Sequence, residues 1–455
     1  MTGAVLRNAI APVYLLFCLV LGGSAQGVWG NAVLQLTAIL IIAAFLLDRS
    51  RPAFPPKAKA LALLFFIGLI LALIEQLPLP PAIWTALPGR ALVADGEVLL
   101  GVPLGWRSIS LTPYESVATM LAMLPPVAMF LSILWAGGKN GSWLAAAKIV
   151  ATIAGILLGL LQVSSANPPQ SPWYLYKVSN FGFATGFFAN SNHMASLLLV
   201  TLPFVAALGV SAGEATKDRR KRFSLLALSV GMIADLIVGL ALNGSLAGAG
   251  LLLPVGLATL MMSLSLGKRL KLLAVGAGIL AGILFIALLF TPLAEKMALA
   301  GASTSISTRK EMLARSIEAA REFGPFGSGL GSFAKVYPLF ENPDSIDQTW
   351  VNHAHNDYLE IAVEWGLPGI ALVAIFLLWW LSAIWSMARA PNASLYAKAG
   401  AIGSAAILLH SLVDFPLRTS AISSLFALCL ALLLSSRRTP TTGKDLREAR
   451  HLVIE

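Results

Sequence analysis

Residues 366–388 read GLPGIALVAIFLLWWLSAIWSMA, 23 positions without one ionisable side chain. About 20 apolar residues in a row is the length at which an α-helix crosses the hydrocarbon of a bilayer. Outward from this stretch the pattern repeats, with further predicted spans near 10–28, 29–47, 60–75, 117–136, 144–164, 192–212, 223–243, 246–266, 272–290, 398–418 and 419–436. Composition agrees: 57% of the 455 residues are apolar, 12% are charged and the mean hydropathy is +0.79. A soluble globular chain carries roughly 25% charged residues, so a soluble enzyme is excluded. Backbone groups in lipid must be satisfied within the segment, and the ten-residue alternation of a barrel is missing. The expected fold is all-α, a single polytopic membrane domain over residues 1–455 with about 12 transmembrane helices.

The formal charge of +10 does not call for a nucleic-acid partner, because the basic residues lie between the spans. From a cytoplasmic start, 22 of the 32 Lys and Arg fall on cytoplasmic stretches, among them Arg49, Arg51, Lys57, Lys59, the run Lys217 to Arg222, Lys268, Arg269, Lys271 and the tail Arg437 to Arg450. Six of the other 10 share one long loop, which the positive-inside rule discounts. Both termini are therefore expected in the cytoplasm, with 437–455 as a polar tail. Cys18 and Cys429 fall inside spans and read as small apolar residues, not as a disulfide or a metal pair. The first apolar run ends in Gly22, Gly23, Ser24 and Ala25 and is read as an uncleaved span.

Three external segments are too long to be simple connections. Gln76 to Ser116, with Pro78, Pro80, Pro81, Trp84 and Trp106, reads as an interfacial cap; Ser165 to Ser191 is the second. The largest, residues 291–365, is where chemistry is expected, since long loops in compact proteins are usually functional. Within it, Thr308-Arg309-Lys310-Glu311 has the spacing of a capping box, predicting a helix from there to about Phe323 with Gly324 as its stop. Arg309 and Lys310 would then lie in the first turn, where the macrodipole disfavours cations by roughly 0.3–1 kcal/mol each. Two readings stay open: a phosphate cradle, or a solvated basic turn facing anionic headgroups. The glycines from Gly324 to Gly331 lack a Walker lysine and read as a tight, membrane-lying turn.

Trp350 to Tyr358 (WVNHAHNDY) places His353 and His355 beside Asp357, and a helix is expected to start near Asn356 and run into the 366–388 span, with a break at Gly366, Pro368 and Gly369. An imidazole at a helix N-terminus is biased to the neutral form that a general base needs. A capping histidine and a His-x-His metal site are the alternatives; the latter lacks nearby Cys ligands and a third His. In the predicted eleventh span His410, Asp414 and Arg418 are spaced four apart on one helix face, either a structural clamp or a catalytic group, and Asp235 lies at a depth where it would meet His410.

The run HNDYLEIAVEWGLPG, with His355-Asn356 nine residues before Gly366, resembles the signature of the O-antigen ligase and polymerase superfamily of bacterial inner-membrane glycosyltransferases. GFFANSNHMASLLL, from Gly186, is similar to the family's segment opening a span, here Phe188, Asn190, Asn192 and His193. Arg309 followed by FGPFGSGLGSF is similar to the family's loop arginine and glycine turn, and LLHSLVDFPLR, Leu408 to Arg418, resembles a late span. The resemblance covers 186–418 in order. The chain departs from it at Ser245-Leu246, where many members carry Ser-Arg, and at Asn190-Ser191-Asn192, which lacks the proline often found there.

The resemblance implies transfer of a glycan from undecaprenyl diphosphate to an acceptor sugar hydroxyl, of a glycan or of lipid A-core, at the periplasmic face of the inner membrane, without a metal or other cofactor. In that scheme His355 is the catalytic base or orienting group. Arg309, with Arg315 and Arg418 behind it, binds the donor diphosphate, and Asn190, Asn192, His193, Asn356, His410 and Asp414 support the site. A polymerase of lipid-linked O-antigen or exopolysaccharide repeat units uses the same donor and remains open. A lipid or polysaccharide flippase would be expected to line a cavity with charges from several spans, whereas this chain gathers its polar groups in one loop and one late span. Membrane lipids surround either. Topology is directly testable: alkaline phosphatase fused near Ser345 should be active and fused after Arg438 inactive, and the reverse pattern would overturn the charge-based orientation.

Overall fold

The computed structural model describes residues 3–138, 140–264, 305–343, 350–390 and 392–435. The predicted span 272–290, the stretch 291–304, Lys268, Arg269, Lys271 and the tail 437–455 lie outside them. The protein is an all-α membrane bundle. Among the described residues eight helices are long and apolar enough to cross a membrane: α2 Val28–Leu47, α3 Pro56–Ile74, the pair α6 Pro113–Ala122 and α7 Leu124–Trp135 taken as one, α8 Gly141–Val163, α9 Ser191–Ala215, α10 Arg219–Asn243, α11 Leu246–Ser263 and α14 Asp357–Ala388. Three shorter apolar helices join them, α1 Gly3–Leu21, α15 Leu395–His410 and α16 Ser420–Leu434. The break between α6 and α7 falls just before Pro125 and Pro126, which cannot donate to the preceding turn.

Helix α9 is the centre of the bundle: 83% of its most apolar window is buried, against 11–50% for the other long spans. It packs on α8, α10, α11 and α15, and α15 in turn lies along α16. Small residues permit this approach where no hydrophobic force drives helices together in lipid. A Cβ at Gly400 would stand 2.6 Å from the Cys429 carbonyl oxygen. Cys18 and Cys429 are both buried and unpaired, in line with their reading as small apolar residues.

The cap forms at one end of the bundle. Two-residue strands β1 Pro78–Leu79 and β2 Arg107–Ser108 pair antiparallel, Leu79 opposite Arg107, and enclose short helices α4 Pro81–Trp84 and α5 Ala91–Leu99. Trp84 is buried and donates through Nε1 to the Gly105 carbonyl at 2.8 Å. Leu99, Leu100 and Trp106 are exposed, an apolar surface suited to lipid.

The long loop contributes α12 Ser305–Glu322 and α13 Phe333–Val336. Between them the glycine turn does not lie free on the membrane. It is stitched into α14 where that helix breaks at Gly366 (φ 55°, ψ −140°), the break expected from Gly366-Leu367-Pro368-Gly369. Ser328 N–H donates to the Val363 carbonyl at 3.0 Å, Gly329 N–H to the Glu364 carbonyl at 2.8 Å, and Leu367 N–H to the Pro325 carbonyl at 2.8 Å. Backbone groups freed by the break thus find partners, as buried peptide groups require. The cap closes the other side: Leu111 N–H donates to the Ser328 carbonyl, Arg90 to the Gly327 carbonyl, and Leu330 N–H to the Glu75 carboxylate, at 2.9, 3.0 and 3.1 Å. Burial pushes the Glu75 carboxyl, one residue beyond α3, up to about 7, against the pull of the Leu330 N–H.

A Cβ at Gly366 would run into the Pro325 carbonyl, and its backbone lies where L side chains are rarely found. Gly366→Ala should therefore cost about 1–3 kcal/mol for the backbone conformation alone. Thermal unfolding in detergent reads this loss; unchanged stability would mean that the break tolerates a side chain.

Candidate active site

His355 immediately precedes α14 and has φ 48°, in the left-handed region that side chains other than Gly seldom occupy. The neighbouring chain enforces it. Asn356 caps α14, its Oδ1 accepting from Tyr358 and Leu359 N–H at 3.0 Å, while its Nδ2 donates to the Leu412 carbonyl at 2.9 Å. Asp357 N–H donates to the Ser411 carbonyl, Ser411 Oγ donates to Asp357 Oδ2 at 2.7 Å, and Tyr358 OH donates to the Leu408 carbonyl at 2.8 Å. The start of α14 is thereby fastened to the turn that follows α15. That fastening brings His355 Nδ1 to 2.7 Å from Asp414 Oδ1.

Asp414 is wholly buried in this turn, outside the apolar helices. Burial alone would push its carboxyl up, but the hydrogen bond and charge of His355, with His193 and His410 nearby, hold it well below the usual carboxylate range. His193 Nε2 stands 3.9 Å from Asp414 Oδ2, and neither of its ring nitrogens has a hydrogen-bond partner among the described residues. His410 Nδ1 pairs with Ser196 Oγ at 2.8 Å. Asp235, by contrast, is exposed on α10 while His410 is buried, so the expected meeting of the two is not observed.

The shared helix face expected for His410, Asp414 and Arg418 is also corrected. Helix α15 ends at His410, residues 411–415 turn, Pro416–Arg418 form a single 3-10 turn and Thr419 caps α16. Proline disfavours helical backbone in the residue before it, and Phe415 takes φ −121°, ψ 51°. The three residues still converge, but from a turn. Arg418 faces three carboxylates of α14: Nη1 lies 3.0 Å from Glu364 Oε2, and Nε lies 3.4 Å from Glu360 Oε1 and 3.6 Å from Asp357 Oδ1. Its guanidinium is thus engaged within the protein by three carboxylates.

Arg309 has a different setting. Helix α12 is already helical at Ser305, ahead of the expected start, so Arg309 lies beyond the first turn and not at the helix N-terminus. The side chain of Thr308 lies outside the described residues. Arg309 is half-buried, makes no hydrogen bond or ion pair among the described residues, and is near enough to His410 to act on it electrostatically. Arg315 instead pairs with Glu318 at 3.1 Å on an exposed part of the same helix. Asn190 caps α9, accepting from Asn192 N–H at 2.8 Å. Asn192 Oδ1 accepts from Ser245 Oγ at 2.7 Å, and Ser245 caps α11 through Gly248 N–H. Leu246, where the resemblance would place an arginine, follows directly.

Sequence reasoning passed over Glu360, Glu364 and Phe415 as site residues and weighed His353 only as a possible metal ligand. His353 Nδ1 lies 2.8 Å from Glu360 Oε1, and Glu360 Oε2 accepts from Ala354 N–H at 2.9 Å. Phe415 is the hub: His353 stacks on it at 4.1 Å between centroids, and His355 and His193 meet it edge-on at 4.8 and 5.0 Å. The signal for the acids was present, since Asp357, Glu360 and Glu364 recur at helical spacing and ionisable groups in a span face a partner or cavity. Among the described residues no group of three or more His, Cys, Asp and Glu has the geometry to hold a metal ion.

Residues 231–374 match the O-antigen ligase family model, which supports membership of the chain in the O-antigen ligase superfamily. The match includes Arg309, His355 and the broken start of α14; His193, His410, Asp414 and Arg418 fall outside it and join the site through tertiary contacts. No curated protein matches the chain. The fold is that of a multi-pass membrane protein, and the match supports, in general terms, a glycosyltransferase-like ligase or polymerase function.

The two readings of Arg418, counterion or diphosphate ligand, separate in one measurement. Removing Arg418 leaves three buried carboxylates without their counterion, so Arg418→Gln should lose about 3–5 kcal/mol of stability. A variant that folds normally and loses only donor binding would return Arg418 to the diphosphate site.

Proposed function

We propose that this protein transfers a glycan from undecaprenyl diphosphate to a sugar hydroxyl of a glycan or lipid A-core acceptor, at the periplasmic face of the bacterial inner membrane and without a metal ion. The observation that carries the reading is the 2.7 Å contact between His355 Nδ1 and Asp414. With the Nδ1 proton donated to Asp414, the Nε2 lone pair is free, and Nε2 has no hydrogen-bond partner among the described residues in a side chain that is 26% exposed. The acceptor hydroxyl oxygen attacks the anomeric carbon, its proton passes to Nε2, and the bond to the diphosphate breaks with the electron pair leaving on phosphate. Asp414 stabilises the imidazolium that forms, and direct attack inverts the anomeric centre. Arg309 offers planar charge-assisted hydrogen bonds to the diphosphate. A polymerase would use the same groups on a different acceptor. The flippase reading is weaker, because His353, His355, Glu360, Asp414 and Arg418 gather around one helix start and one turn instead of lining a cavity from several spans.

His355→Ala should lower transfer by about 10²–10⁴-fold with donor binding retained, the range for loss of a general base. Arg309→Ala should weaken binding of the undecaprenyl diphosphate glycan and Arg309→Lys should weaken it less. Both are measured on folded, inserted protein, with and without a chelator. Full activity in His355→Ala would sink the mechanism, and loss of wild-type activity to the chelator would sink metal independence.

A further inference from the structure

The cap ends in a segment that the histidine site does not use. Residues 98–106 read VLLGVPLGW, nine positions without an ionisable side chain. Val98 and Leu99 close α5, a helix with no buried residue, and the chain then turns back toward β2. Leu99, Leu100 and Trp106 are 87%, 79% and 67% exposed, and Val98 and Val102 are exposed beside them. A contiguous apolar patch of this kind marks a surface that meets lipid or another protein.

The polar groups of this tip are already satisfied. Gly101, at φ 66°, ends α5 in a Schellman motif: its N–H donates to the Val98 carbonyl and Val102 N–H donates to the Glu97 carbonyl, both at 3.0 Å. Leu100 N–H donates to the Gly96 carbonyl at 3.1 Å. The two charges that bracket the segment, Glu97 and Arg107, pair with each other, and the Arg107 guanidinium lies over the Trp84 ring. Backbone donors bonded within the turn and charges neutralised at its base are what a segment entering lipid requires. Asp95, exposed one turn back, marks the depth that entry does not pass.

The surroundings of the tip face lipid as well. The chain leaves the bundle at the end of α3, where Ile70, Leu73 and Ile74 are exposed, and returns in α6, where Val117 and Leu121 are exposed. Exposed Trp29 opens α2 and exposed Tyr114 opens α6, the placing of aromatic side chains at a membrane interface. Ser420 Oγ donates to Asn31 Oδ1 at 2.8 Å, so the start of α2 lies beside the turn that carries Asp414 and Arg418. We infer that residues 98–106 are a membrane anchor, a tip that enters the lipid leaflet on the side of the histidine site and has phospholipid acyl chains as its partner. Arg90, just before α5, holds the Gly327 carbonyl, and Glu75 holds Leu330 N–H. Anchoring the cap therefore fixes the depth of the glycine turn in that leaflet.

The test places a single labelling cysteine, carrying an environment-sensitive fluorophore, in protein held at one copy per nanodisc of phosphatidylethanolamine and phosphatidylglycerol. Cys18 and Cys429 are buried and do not compete for the label. A label at Leu100→Cys should lose quenching by aqueous iodide and gain quenching by a spin-labelled phospholipid, as should one at Leu63→Cys on the lipid-facing side of α3. Adding Leu99→Asp and Val102→Asp should return the Leu100 label to water, with thermal unfolding in detergent unchanged because these side chains pack on nothing in the bundle. Iodide access at Leu100 equal to that of the free fluorophore would overturn the inference. A label that stays in lipid despite both aspartates would do the same, since the fluorophore and not the tip would then be inserting. Protection that appears only when a disc holds two copies would assign the tip to a second copy of this chain and overturn the lipid partner.

Discussion

Asp357, Glu360 and Glu364 stand on one face at the head of a helix that continues into the apolar interior, and all three are buried. Carboxylates in that position need a counterion, because desolvation of an unpaired charge costs several kcal/mol. Arg418 supplies it from the turn after α15, and Ser411 adds a hydrogen bond to Asp357. The consequence reaches beyond charge. Fixing residues 411–418 against α14 sets the position of Asp414 and Phe415, and these in turn orient His355 and His353. The geometry of the site therefore depends on a charge compensation made within the protein.

A second constraint holds the same helix from the loop side. Breaking α14 at Gly366 frees peptide groups at its start, and the turn from Pro325 to Gly329 binds them. The cap then binds that turn through Glu75 and Arg90. Loop, cap and helix break form one continuous backbone network at the end of the bundle where the histidines lie. Such a network places the site on a scaffold that cannot shift piecemeal, which suits a reaction that needs a base and a leaving-group cation at fixed spacing.

The residues that resemble family motifs were visible because they are local. His355-Asn356 before Gly366 announces a cap, a helix and a break, and the structure has all three. The glycine turn was misplaced onto the membrane surface because its hydrogen-bond partners, Val363, Glu364 and Glu75, are distant in the chain or hidden within a span. The start of α12 was set too late because a capping-box pattern at Thr308 can also occur inside a helix. The single face of His410, Asp414 and Arg418 failed at Pro416, a breaker that hydropathy alone overrode.

The sequence by itself determined the solvent and the class of element: 12% charge and repeated apolar runs leave helices in a membrane as the solution. It also narrowed the candidates for chemistry, since 12% of the residues are charged and five are histidines. Which of those groups are free and which are neutralised was decided only by tertiary structure. Arg309 and Arg418 look alike as letters; one stands without an ion-pair partner among the described residues and the other faces three carboxylates. Nor could spacing reveal that His353 and His355, two residues apart, rest on different acids, Glu360 and Asp414. Coulomb energies depend on distance in space and on burial, and neither is fixed by position along the chain.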